Sequence, residues 1–315
     1  MILVDHAIWP AHGTVWAHLV SDKSLDELHE FARATGIPPK GFDLDHYDVP
    51  QSRIADLVAA GAVQVTPREL LARLVASGLR VRGAHREVEG VRRRDADLRH
   101  RWAGLEPHVF AHMPGSPGAQ GGGHLWSNLG SDLLSRWSQP HRQYHDAAHL
   151  HDVLLSLETL AYTGEQVQTQ VLLAAWFHDA VYAGRPGDDE EESARLAETS
   201  LAGAGATDRL TAETARLVRV TVDHVVEPGD QDAAALVDAD LAILASTPKR
   251  YAAYAQAVRR EYAHVPDDAF RQGRAAVLDR LMGQDRLFRT RSGHDRWERP
   301  ARVNLARELR SLRSG

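Results

Sequence analysis

Along the first hundred residues the hydrophobic positions switch between the period of a strand and that of a helix. The short apolar runs Met1–Val4 and Val15–Val20 read as strands, and Ser24 with Glu27 three positions on marks a capped helix start that Gly36 and Pro38 close. A second helix from Ser52 carries Ile54, Leu57 and Val58 on one side and stops at Gly61. Ala62–Val65 reads as a further strand, after which Thr66-Pro67-Arg68-Glu69 opens a helix with proline at its first position. That helix is expected to bury Leu70, Leu71, Leu74 and Val75, to end at Gly78 and to feed a strand over Leu79–Arg82. Elements in this order predict a small α/β layer domain over residues 1–104.

The pattern then breaks. Residues 105–131 contain Met113-Pro114-Gly115-Ser116-Pro117-Gly118 and Gly121-Gly122-Gly123, which sustain neither period and predict a Gly/Pro-rich linker. From Asp132 onward strand signals vanish. Amphipathic helices are predicted over 147–162, 165–179, 190–202, 208–225, 232–245, 248–263 and 267–282, so residues 132–315 are expected to form an all-α domain.

Composition narrows the chemistry. The 315 residues include no cysteine, which excludes thiolate zinc sites, redox couples and cysteine nucleophiles and suits a reducing cytosol. Any metal must therefore rest on His, Asp and Glu, and the chain has 18 histidines. Asp5 and His6 interrupt the apolar start, so no signal peptide is expected, and no apolar run approaches the roughly 20 residues of a bilayer span. A cytoplasmic protein without a membrane partner is the expectation. The net charge of -6 speaks against nucleic acid as a partner. Eight arginines do fall between Arg80 and Arg101, but Glu87, Glu89, Asp95 and Asp97 are interleaved with them, which predicts a solvated, salt-bridged helix.

Three segments of the helical part concentrate imidazoles and carboxylates against apolar sequence: Tyr144-His145-Asp146-Ala147-Ala148-His149, Trp176-Phe177-His178-Asp179 and Val237-Asp238-Ala239-Asp240-Leu241. His145 and His149 are four apart, a spacing that a continuous helix would turn to one face. Burying an imidazole beside a carboxylate is costly unless something neutralises both, and a metal ion does so. Nitrogen and oxygen donors without sulfur suit a divalent transition metal such as Mn, Fe, Co, Ni or Zn.

These segments, taken as Pro140–Leu150, Ala175–Tyr182 and Asp238–Leu244, resemble the predicted metal-dependent phosphohydrolases of the HD superfamily. The resemblance runs from about residue 132 to 312 and includes Asp189–Ala194, Arg259–Tyr262, Phe270–Arg274 and Ala301–Leu305. It implies an HD-type helical bundle with His149, His178, Asp179 and Asp240 as metal ligands, Asp238 being the alternative to Asp240. It also implies hydrolysis of a phosphate ester by metal-activated water, the substrate being a nucleotide or another small phosphorylated metabolite. The Tyr-His-x-x-x-His pattern is similar to the start of the cyclic-nucleotide phosphodiesterase site, which assigns proton donation to His145. Glu190 and His224 are further catalytic candidates, for orienting water or completing a second metal site, and Arg142 is a candidate clamp for the substrate phosphate. Two other readings compete. One is an HD-type di-iron oxygenase, for which only Glu190 and His224 are spare ligands; the other is a non-catalytic nucleotide-binding sensor.

Residues 1–85 resemble a small bacterial domain-of-unknown-function family, through Met1–Gly13 and Asp43–Pro50. That likeness brings no activity. Asp5 at the end of the first strand and the His46–Asp48 cluster stand where α/β domains place ligands, though turns capped by aspartate account for them equally.

Overall fold

The computed structural model describes residues 1–11, 14–110 and 122–314, and the chain divides into two compact units, 1–96 and 97–315. Each has a core of its own.

The first unit is built on a mixed sheet of β1 (Ile2–Val4), β2 (Trp9–Ala11), β3 (Thr14–Ser21), β4 (Phe42–Asp43), β5 (His46–Pro50) and β6 (Val63–Gln64). The strand order is β4-β5-β3-β1-β6, with β2 also on β3; β1 and β6 are parallel and the other pairs antiparallel. Helices α1 (Leu25–Thr35), α2 (Ile54–Ala59) and α3 (Pro67–Ala76) accompany it. The caps behave as the sequence implies: Ser24 accepts from the Glu27 amide, Gly36 closes α1 in the left-handed region, and Thr66 accepts from the Glu69 amide. Period-2 alternation on β3 and β5 sends Ala17, Leu19, Tyr47 and Val49 into one core, while Leu3 and Val20 pack on the other face with Leu70 and Leu74 of α3.

Some expectations fail here. Leu71 and Val75, expected to be buried, are exposed, and so is Val58 of α2. Leu79–Arg82 does not join the sheet. Its Val81 amide and the Arg80 guanidinium are taken by the buried Asp45 carboxylate, at 2.6 and 3.2 Å, in place of a strand ladder.

Helix α4 (Arg86–Phe110) contains the boundary between the units, which falls at Ala96/Asp97 and not near 104. Its arginines pair within the helix as expected, Arg92 and Arg93 with Glu89 and Arg101 with Asp97. The second unit continues with α5 (Gly122–Trp137), α6 (Ala147–Tyr162), α7 (Thr169–Phe177), α8 (Asp188–Ala204), α9 (Asp208–Val220), α10 (Gln231–Leu241), α11 (Pro248–Glu261), α12 (Asp267–Met282) and α13 (Arg291–Ser314). Its regular elements are all helical among the described residues. The segment expected as a linker over 105–131 is therefore helical at both ends, and residues 111–121 of it lie outside the described residues. Among the described residues no helix is long and apolar enough to cross a membrane.

Trp102 of α4 and Trp126 of α5 hold those ends in the core. Their rings stack at 4.2 Å, and each indole Nε1 donates to the other residue's main-chain carbonyl, at 2.8 and 3.1 Å.

Candidate metal centre

Helix α6 starts at Ala147 because Asp146, in extended conformation, caps it by accepting from the Ala148 and His149 amides. This sets His149 in the first turn with its side chain buried. The helix does not run back through His145, as the spacing suggested. His145 precedes the cap, and its ring meets that of His149 with centroids 5.6 Å apart. The apolar run of α7 carries His178 into the interior at its end, and the last turn of α10 supplies Asp240.

Three of the four expected ligands, His149, His178 and Asp240, bring one donor atom each within 4.8 Å of the others, and Asp179 approaches the two imidazoles. His149 Nε2 lies 3.2 Å from His178 Nε2 and 3.1 Å from an Asp240 carboxylate oxygen. Asp179 is 3.3 Å from His178 Nε2 and 3.8 Å from His149 Nε2. Around one tetrahedral ion with bonds of 2.0–2.2 Å, neighbouring donors stand about 3.4 Å apart, so the spacing suits a shared ion. The tautomer suits it as well: His178 Nδ1 sits 2.9 Å from the Ala175 carbonyl, which can only accept, so Nδ1 carries a proton and Nε2 faces the carboxylates.

Burial opposes charge on His178, yet Asp179 and then Asp240 carry its pKa up to about 9. Burial likewise works against ionised Asp179 and Asp240, but the surrounding imidazoles hold both below the usual carboxylate range.

His224 belongs to the same site through Asp240. Its Nε2 is 2.9 Å from the second Asp240 oxygen, and its backbone is left-handed at φ 57°, a conformation that costs a non-glycine residue on the order of 1 kcal/mol. It therefore fixes the carboxylate. Glu190 is placed otherwise: it accepts from the Gly187 amide at 2.6 Å as a cap of α8 and is in no ion pair with the cluster.

Two further expectations need correction. Arg142 is 4% exposed, and its five N–H groups go to the carbonyls of His145, Asp179 and Ala180 and to the Gln139 side chain, which leaves no donor for a phosphate. It ties the His145 segment to the His178-Asp179 segment. Asp238, the alternative ligand, accepts from the Arg289 and Thr290 amides and the Thr290 hydroxyl at 2.7–2.8 Å, and so anchors the start of α13. Gly293 is required beside it, since a Cβ there would lie 2.3 Å from the Asp238 carboxylate.

His145 is equipped to hold a proton. Its Nδ1 lies 2.7 Å from Glu261, whose other oxygen accepts the Gln143, Tyr144 and His145 amides at 2.8–2.9 Å. Burial disfavours the charged ring, but Glu261 raises its pKa, and Glu261 itself is held down to about 2 by His145 and the amides in spite of its own burial. The Tyr182 hydroxyl donates to Glu261 at 3.0 Å while its ring stacks on His145 at 4.5 Å. The buried Tyr144 hydroxyl, on a ring 4.8 Å from those of both His145 and His149, has no hydrogen-bond partner, so a polar donor stands unsatisfied beside the cluster.

Residues 2–77 match the family model described as "Protein of unknown function (DUF4031)". The DUF4031 match lies within the first unit and stops short of the cluster just described, for which no HD-type family match is found. No curated protein and no solved structure matches the chain.

Glu261, Tyr182 and Tyr144 are the residues to which sequence reasoning gave no role. Tyr144 and Tyr182 stood inside the segments singled out. Glu261 also stood inside one of them, Arg259–Tyr262, but beside Arg259 and Arg260 it reads as part of a charged helix face, which gave no sign of its role.

Proposed function

We propose that the helical unit is a metal-dependent phosphohydrolase of HD type, acting on a small phosphate ester such as a nucleotide. The observation that carries this reading is the convergence of two imidazole nitrogens and two carboxylates from three separate segments, with His149 Nε2 3.2 Å from His178 Nε2 and 3.1 Å from Asp240. His149, His178, Asp179 and Asp240 would hold the ion, and when bound it supplies Lewis acidity toward a phosphoryl oxygen and toward water. The protein's own part is to place charge and protons. Glu261 and Tyr182 fix the His145 ring with Nδ1 engaged, so that Nε2–H is the proton available to a departing ester oxygen. His224 sets the orientation of Asp240, and Arg142 keeps the His145 and Asp179 segments in register.

The purified protein, loaded in turn with Mn²⁺, Co²⁺, Ni²⁺ or Mg²⁺, should hydrolyse at least one member of a panel of nucleoside phosphates, cyclic nucleotides and simple phosphate esters. Asp179→Asn should abolish that turnover. A protein that takes up metal and binds a nucleotide but turns over no ester would instead be the sensor considered above.

A further inference from the structure

The first unit holds a second cluster of metal-ligand type. β3 and β5 pair with His18 directly opposite Asp48, and His46 lies two residues before Asp48 on β5, so period-2 alternation brings all three to one face of the sheet. The opposite face takes Ala17, Leu19, Tyr47 and Val49 into the core. One ligand atom from each of His18, His46 and Asp48 lies within 4.8 Å of the other two.

What lies behind the rings distinguishes this cluster from a chance polar patch. His18 Nδ1 is 3.0 Å from Asp5, and His46 Nδ1 is 2.6 Å from Asp45. Both aspartates are essentially buried, at 1% and 0% exposure, where a carboxylate is costly. Each is further fixed by backbone, Asp5 by the His18 amide and Asp45 by the Val81 amide. With both Nδ1 positions engaged, the two Nε2 atoms are left toward Asp48, at 3.9 Å from His18 and 3.6 Å from His46. A carboxylate behind each imidazole is the arrangement that sets the tautomer and raises the basicity of a metal-binding histidine.

We propose that Nε2 of His18, Nε2 of His46 and a carboxylate oxygen of Asp48 bind one divalent transition ion of the zinc class, with Asp5 and Asp45 positioning the two rings. Two nitrogens and one oxygen make three protein ligands, the number that leaves a coordination position for water or substrate. Access to that position is open: Asp48 is half exposed, and Trp9, 54% exposed, stands edge-on to His18 at 6.0 Å. The distances to Asp48 exceed the roughly 3.4 Å of donors on one tetrahedral ion by only a few tenths of an ångström, which its exposed side chain can supply.

The test uses the full chain and Zn²⁺ alone, read as equivalents retained after gel filtration, with Co²⁺ absorption as a second readout. His18→Gln and Asp48→Asn should each lose one equivalent relative to the parent, both in the wild type and in a His178→Ala background that disables the helical cluster. Asp5→Asn should weaken Zn²⁺ at this site by roughly 10–100-fold without abolishing it, the usual worth of such a partner. Asp48 is exposed enough that Asp48→Asn should melt like the metal-free wild type, so this variant decides the matter if His18→Gln misfolds. Unchanged Zn²⁺ content in folded Asp48→Asn, or a wild type that retains no Zn²⁺ beyond the helical cluster, overturns the proposal.

Discussion

His145 and His149 stand four residues apart yet have different surroundings, which suit the different tasks proposed for them. His149 presents Nε2 to His178 and Asp240, whereas Nδ1 of His145 meets Glu261, which raises its pKa against the effect of burial. His149→Ala should therefore lose the metal. His145→Ala should keep it while turnover on an unactivated ester falls by roughly 10² to 10⁴, and much of that loss should disappear with p-nitrophenolate, which leaves without protonation. Glu261→Gln adds a pH readout with a definite sign. Glu261 raises the His145 pKa, so the protonated ring persists to higher pH in the wild type, and removing the charge should move the alkaline limb of the rate profile to lower pH with metal content unchanged. Metal loss in His145→Ala, or an equal defect on activated and unactivated esters, would remove His145 from the role of acid. The four candidate ligands were legible in the sequence because the segments they stand in, conspicuous for imidazole and carboxylate beside apolar residues, carry the resemblance that implies them. The role of Glu261 was not, although it stands within Arg259–Tyr262, since it reaches His145 across 116 residues by a fold that no local pattern encodes. Arg142 misled for the same reason: whether a guanidinium meets a phosphate or three carbonyls depends on the chain that closes over it.

Glycine inside a helix shows how elements escape a local reading. Gly130 falls within the stretch expected as a linker, yet it lies in α5, where a Cβ would come within 2.2 Å of the Trp102 ring; the missing side chain lets that indole pack against the helix backbone. Gly130→Ala should accordingly destabilise by about 1–3 kcal/mol, the cost of overpacking a filled core. Gly273→Ala in α12, where a Cβ meets nothing within 4 Å, should be neutral or stabilising by up to about 1 kcal/mol through helix propensity. Paired melting curves compare them, and equal effects would mean that the Trp102 contact is not what requires glycine. Two helices were read correctly at both ends, α6, which the Asp146 cap opens, and α12, which Pro266 and Gly283 bound. α5 was hidden among glycines, and α13 by its density of charge and by Pro300 within it. In the first unit Leu79–Arg82 has strand-like composition, but Asp45 captures its backbone first, a competition between side chain and ladder that composition does not reveal.

At the scale of the whole molecule, the sequence places the start of the helical unit near residue 132, whereas the core places it at Asp97. Leu98, Trp102, Leu105 and Val109 of α4 and Trp126 of α5 are all buried in the same core as α6 and α7. A fragment from 129 onward loses these five side chains. Truncating a single buried tryptophan costs about 3–5 kcal/mol, against a total stability of about 5–15 kcal/mol for a domain, so their combined loss exceeds what the remainder can carry. Residues 97–315 expressed alone should melt cooperatively and, under the assignments above, retain the Zn²⁺ equivalent of the helical cluster while lacking that of His18 and His46. Residues 129–315 should be insoluble or should melt without a cooperative transition. Heat-induced unfolding followed by circular dichroism, with Zn²⁺ content measured on the same samples, separates the outcomes. A cooperative 129–315 fragment would show that the tryptophan pair is dispensable to the core, and a 97–315 fragment without metal would detach the helical cluster from the ion assigned to it.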